Sequence, residues 1–146
     1  MRTVMFRELN EVIEATDALY HEAARIMGMS DVEMDIYYKL YEYGDGLKQK
    51  ELYRQVGISK STINSAIKKM EKEGYILLKT SKEDARNTEI HLTDAGKKRM
   101  EQTAGKLISA ENAVYKNWTV EERMLAIELN RKFLNDMSKE IGKWKR

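Results

Sequence analysis

The feature that most narrows the possible folds is a change of hydrophobic period at Gly74. Before it, in SKSTINSAIKKMEKEG (residues 59–74), Ile63, Ile67 and Met70 recur at helical spacing with Ala66 beside them, so one helix face is apolar. After it, Tyr75 to Thr80 is a β-rich run, and from Thr88 to Thr93 the apolar Ile90 and Leu92 alternate with Glu89 and His91. Upstream, Gln49 to Val56 reads as a short helix joined to residue 59 through Gly57 and Ile58. Two short helices about a Gly-containing turn form a helix-turn-helix, for which Leu52, Val56, Ile58, Ile63 and Ile67 supply a shared core. A helix-turn-helix followed at once by a two-stranded hairpin is a winged helix. That order is more telling than either part.

The second helix, about residues 60–73, has Ser59 as its N-cap and Gly74 as its stop. Roughly 14 residues at about 1.5 Å rise give a rod near 21 Å long, and the major groove of B-DNA is about 12 Å wide. Away from its apolar stripe the rod carries Lys60, Ser61, Thr62, Asn64, Ser65, Lys68 and Lys69. Hydroxyls and an amide suit base edges, and lysines suit phosphates. Taken alone, such a face is usually just solvated. The hairpin loop SKEDARN adds Arg86, whose guanidinium can enter a narrow minor groove where negative potential is enhanced. Asp84 can hold that guanidinium or fix the turn by an Asx hydrogen bond. Alone, this loop is a charged turn with a local ion pair. It stands beside a helix-turn-helix.

Charge distribution points the same way. The net charge is only +2, but residues 48–99 carry 13 Lys or Arg against 7 Asp or Glu, while the remainder carries 13 against 17. Positive charge concentrated around the helix-turn-helix favours a polyanionic partner.

The flanks are helical. A first helix spans about Met5 to Met27, with Leu9, Val12, Ile13, Leu19 and Ala23 on one side, and Gly28 breaks it. Ser30 caps a second to about Tyr43, with Glu33 placed to complete a capping box. Thr93 caps a helix that runs to about Trp118, and Thr119 with Glu122 opens a last one to about Trp144, along which Leu125, Leu129, Phe133, Met137 and Ile141 fall four apart. The winged middle can bury only part of these stripes, so the terminal helices are expected to pair with those of a second chain. The fold class is thus mainly α with a small β-hairpin wing (α+β). Residues 30–93 form the winged helix-turn-helix, and 1–29 with 94–146 form a helical dimerisation region.

With 146 residues and no proline, one core and long helices are permitted. No cysteine is present, so disulfides, thiolate metal sites and thiol switches are excluded, and His21 and His91 show no metal-ligand spacing. No apolar run is long enough to cross a bilayer and no signal-peptide core is seen, which makes the cytoplasm the expected location. There is no phosphate-binding glycine loop, nucleophile elbow or H-E-x-x-H, so an enzyme is not expected.

The run from Gly46 to Lys98 resembles the multiple-antibiotic-resistance regulator (MarR) family of bacterial winged-helix transcription factors. The resemblance covers about residues 30–98 and is carried most specifically by D-x-R, present as Asp84-Ala85-Arg86, and by L-T-x-x-G, present as Leu92-Thr93-Asp94-Ala95-Gly96. It implies a homodimer whose recognition helices enter successive major grooves of a pseudo-palindromic operator, about 34 Å apart. Ser59 to Ser65 would supply the first turns of that helix, with Ser61, Thr62 and Ser65 near bases, and Lys60, Lys68 and Lys69 near phosphates. Arg86 would be the wing contact. The recognition helix lacks an arginine for bidentate contact to guanine, so specificity would rest more on shape. The resemblance also implies a repressor released by a small aromatic or phenolic effector, with no other cofactor. Tyr20, His21, Tyr37, Tyr38, Tyr41 and Trp118 are candidates for that cleft because they join apolar bodies to polar tips. Such residues more often simply pack. The alternative function is a winged-helix module that binds protein rather than DNA.

Overall fold

A computed structural model describes residues 4–55 and 57–145. The elements run α1 (Val4–Ile26), α2 (Asp31–Tyr43), β1 (Leu47–Lys48), α3 (Gln49–Gln55), α4 (Lys60–Lys72), β2 (Ile76–Thr80), β3 (Thr88–Leu92), α5 (Asp94–Met100), α6 (Lys106–Tyr115) and α7 (Val120–Gly142). The chain divides into two compact units, residues 1–108 and 109–146. Among the described residues no helix is long and apolar enough to cross a membrane.

The first unit has a core drawn from each element around the helix-turn-helix. Ile36, Tyr37 and Leu40 of α2, Leu52 of α3, Ile63, Ile67 and Met70 of α4, Ile76 of β2 and Ile90 of β3 are all buried. Burying each such side chain contributes about 1.5–3 kcal/mol. Ile58 packs against this core from the turn. Val56, expected in the same core, lies outside the described residues.

The sheet has three antiparallel strands in the order β1-β3-β2 rather than the expected two. Leu47 pairs with Ile90 and Lys48 with Glu89, on the opposite edge of β3 from β2. Asp45 secures this edge, because its Oδ1 accepts from the Leu92 N–H at 2.6 Å. A two-residue strand has no period of its own and is invisible to a pattern search.

The L-T-x-x-G run has a mechanical explanation. Leu92 is buried, and the Thr93 hydroxyl caps α5 by accepting from Gly96 N–H while donating to the Gly74 carbonyl at 2.6 Å. A Cβ at Gly96 would lie 1.9 Å from the Tyr75 carbonyl oxygen, so only glycine lets α5 approach the turn that follows α4. Gly74 itself sits at φ +80°, the left-handed conformation that ends α4.

Two expected helix details are corrected. The helix begun at Thr93 passes through a π-helical turn at Glu101–Gly105 before α6 and ends at Tyr115, not Trp118. There the Thr103 hydroxyl donates to the Arg99 carbonyl at 2.7 Å, and Ala104 is buried. The Ser30–Glu33 capping box is half made: the Ser30 hydroxyl accepts from Glu33 N–H, but the Glu33 carboxylate turns into the fold toward α4. The Thr119–Glu122 box of α7 is complete, with both reciprocal bonds present.

Candidate nucleic-acid interface

The helix α4 is laid down by its own sequence. Ser59 Oγ accepts from Thr62 N–H at 3.2 Å, satisfying a free donor of the first turn, and lies 2.7 Å from Thr62 Oγ1. Ile63, Ala66, Ile67 and Met70 are buried, which turns Ser61, Thr62, Ser65 and Lys68 outward, with Ser59 and Lys60 exposed ahead of them. The Ser65 hydroxyl donates to the Ser61 carbonyl at 3.0 Å, which leaves its lone pairs to accept from outside. The Lys60 ammonium lies 4.9 Å over the Tyr53 ring.

Two residues expected on this face are engaged elsewhere. Asn64 is half-buried, and its side-chain carbonyl accepts from Gln49 Nε2 at 2.9 Å and from the Tyr53 hydroxyl, so it ties α4 to α3. Lys69, expected near phosphates, lies 2.7 Å from the buried Glu33 carboxylate of α2 and 4.0 Å from Glu73. The Glu33 carboxylate, in contact at that distance, holds the Lys69 ammonium above the usual lysine range. Gln49, Tyr53 and Glu33 thus hold side chains of α4, although sequence spacing assigned Glu33 only a place in a helix cap and assigned Gln49 and Tyr53 no such part. Helical period says which face a residue lies on, and their roles are set by partners on other elements.

At the wing, Asp84 does both things its type allows. Its Oδ1 accepts from the Arg86 backbone N–H at 3.0 Å, closing an Asx turn, and its two oxygens take Arg86 Nε at 3.1 Å and Nη2 at 3.3 Å. The guanidinium, and then the backbone N–H, hold this carboxyl below its ordinary value. The Arg86 side chain remains 89% exposed. Behind the tip, Ser81 N–H donates to the Asn87 carbonyl at 2.9 Å, and Lys48 of β1 reaches Glu83 at 3.4 Å.

These features match a known group of proteins: residues 29–88 fit the description of the MarR family. The similarity to the MarR family lies in this stretch. It is 27% identical over 140 residues to the HTH-type transcriptional repressor YetL of Bacillus subtilis, covering 95% of this chain and 77% of that one. The MarR fold extends over nearly the whole chain. The structure of NMB1585, a MarR family regulator from Neisseria meningitidis, superposes with a TM-score of 0.83 at 16% identity, covering 98% of this chain and 100% of the other. That of the PcaV regulator from Streptomyces coelicolor, solved with its natural ligand, superposes at 0.64 and 16% identity, over 92% and 98%. The matches are to transcriptional regulators and not to enzymes.

The aromatic candidates are distributed unevenly over the two units. Tyr37 is fully buried in the core, where desolvation raises its phenol above the usual range, so it packs rather than lines an open cleft. Tyr38 packs at the edge of that core. His21 Nδ1 meets the Asp31 carboxylate at 2.8 Å, linking α1 to α2. Tyr41 lies against Gly105 of the π-helical turn, and Tyr20 is exposed on α1. Trp118 belongs to the second unit, with its ring centroid 5.1 Å from that of Tyr115.

Proposed function

We propose that this chain is a homodimeric, sequence-specific double-stranded-DNA-binding regulator that represses transcription at a pseudo-palindromic operator. In this reading α4 enters the major groove, with Ser61, Thr62 and Ser65 toward base edges, and with Ser59, Lys60 and Lys68 toward phosphates. Arg86, braced by Asp84, enters the adjacent minor groove. The reading is carried by one observation: a capped helix whose outward face is hydroxyls and lysines, in the same unit as a wing that presents a nearly fully exposed arginine. The repressor name of the Bacillus relative supports the sign of regulation. Exposed apolar side chains along α1 and α7 support a dimer, since an isolated chain would leave them in water. The ligand complex of the Streptomyces neighbour supports release by a small effector, here of aromatic or phenolic type, near Tyr20, His21, Tyr38 and Tyr41.

The test is retardation of labelled duplex from the region upstream of the chain's own operon. The wild-type chain should bind, with log affinity falling about 0.9 per log unit of salt for each phosphate neutralised. Arg86→Ala should weaken binding about tenfold, roughly 1.4 kcal/mol, without loss of folded structure. A duplex left unretarded even at low salt would favour the protein-binding module instead.

A further inference from the structure

Among the polar contacts that set the recognition helix, one joins a charged group inside the fold to a group on the proposed DNA-binding face. Glu33 stands at the third position of α2, and its side chain is only 3% exposed, while the Lys69 side chain that meets it at 2.7 Å is 56% exposed. A carboxylate removed from water is tolerated only when it is paired. Ser30 uses the Glu33 N–H, and the carboxylate does not return to the cap, so Lys69 is its partner. Glu73, one turn further along α4, lies 4.0 Å from the same ammonium. Lys68, the residue before Lys69 on the helix, is in no ion pair among the described residues.

We infer that Glu33 is a positioning residue for DNA recognition, seating α4 on α2 through Lys69 and thereby withholding the Lys69 charge from the phosphates. The two neighbouring lysines then have opposite duties: Lys68 contributes to the electrostatic footprint and Lys69 to the placement of the helix. With Asn64 held by Gln49 and Tyr53 of α3, the recognition helix is pinned from two elements at once. This inference rests on the DNA-binding reading.

The experiment measures the slope of log affinity against log salt for the full chain and a bound duplex, beside urea unfolding of each variant. Lys68→Gln should make the slope shallower by about 0.9, the loss of one phosphate contact. The double variant Glu33→Gln with Lys69→Gln removes both charges and with them the ion pair between α2 and α4. It should leave the slope unchanged, because no phosphate contact is lost, and lower the affinity about threefold at every salt concentration, because α4 loses its seat, where one decade corresponds to about 1.4 kcal/mol. Glu33→Gln alone should steepen the slope, because the Lys69 charge is then released. A double variant whose slope falls as far as that of Lys68→Gln would overturn the inference, as would a cycle of the four unfolding free energies showing no coupling between the two positions. Absence of any duplex binding by the wild-type chain would overturn the DNA reading itself. The unfolding cycle would then still decide whether Glu33 seats α4.

Discussion

Arg86 shows how one neighbouring carboxylate can fix a side chain that stands in water. A free arginine side chain samples many rotamers, and Asp84 removes much of that freedom by taking both its backbone N–H and its guanidinium. The arrangement has a definite pH response. The Asp84 carboxyl is depressed below its ordinary value of 3.8 in the folded chain, so its contribution is complete above that value and is lost as pH falls through the folded-state pKa. Exchange protection of the Arg86 amide should therefore be flat through neutral pH after correction for intrinsic rates, and should collapse only below about pH 4. A loss of protection between pH 5 and 8 would mean that another group holds the wing turn.

Elements meet at points where a single side chain, or its absence, sets the distance. The close passage of α5 past the Tyr75 carbonyl is one such point, since the Cβ of an alanine at position 96 would collide with backbone rather than with a movable side chain. Gly96→Ala is expected to destabilise the domain by about 1–3 kcal/mol or more, through forced backbone movement. Urea unfolding read by far-UV circular dichroism checks this, and an unchanged midpoint would show that α5 can shift freely. Gly105 is a milder case, where an added Cβ would lie 3.1 Å from the ring of Tyr41. It lies in the π-helical turn, at a place where α2 and the helix from Thr93 are packed together. The α3–α4 joint works differently, through the shared carbonyl of Asn64, and so its angle depends on hydrogen bonds rather than on fit alone.

Both α1 and α7 leave large apolar side chains in water. On α7, Leu125, Ile127, Leu129, Phe133 and Leu134 are each at least half exposed, and on α1 Leu9, Val12 and Leu19 are as well. A residue every fourth position along α7 forms a seam, and one flank of it carries the charged Lys132, Asp136 and Glu140. Association with a second copy would bury this seam by the same effect that builds the core. Sedimentation equilibrium at micromolar concentration is expected to return the mass of two chains, and Phe133→Glu the mass of one. A single-chain mass for the unaltered protein would remove the dimer from the proposed function.

The residues by themselves determined the kinds of element, their order and their punctuation: the period change at Gly74, the caps at Ser30, Ser59, Thr93 and Thr119, and the alternation that makes β3. These signals are legible because each depends on groups within a few positions of one another, where spacing and backbone geometry translate directly into shape. Only the tertiary structure decided which side chains of the polar face of α4 are held by neighbouring elements. Ser61, Asn64, Ser65, Lys68 and Lys69 all lie off the apolar stripe, yet Asn64 is taken by α3 and Lys69 by α2. The same holds for β1, which exists only because β3 offers an unpaired edge. Period specifies which way a side chain leaves its helix, and the partner it finds is set by chain segments distant in sequence that packing brings against it.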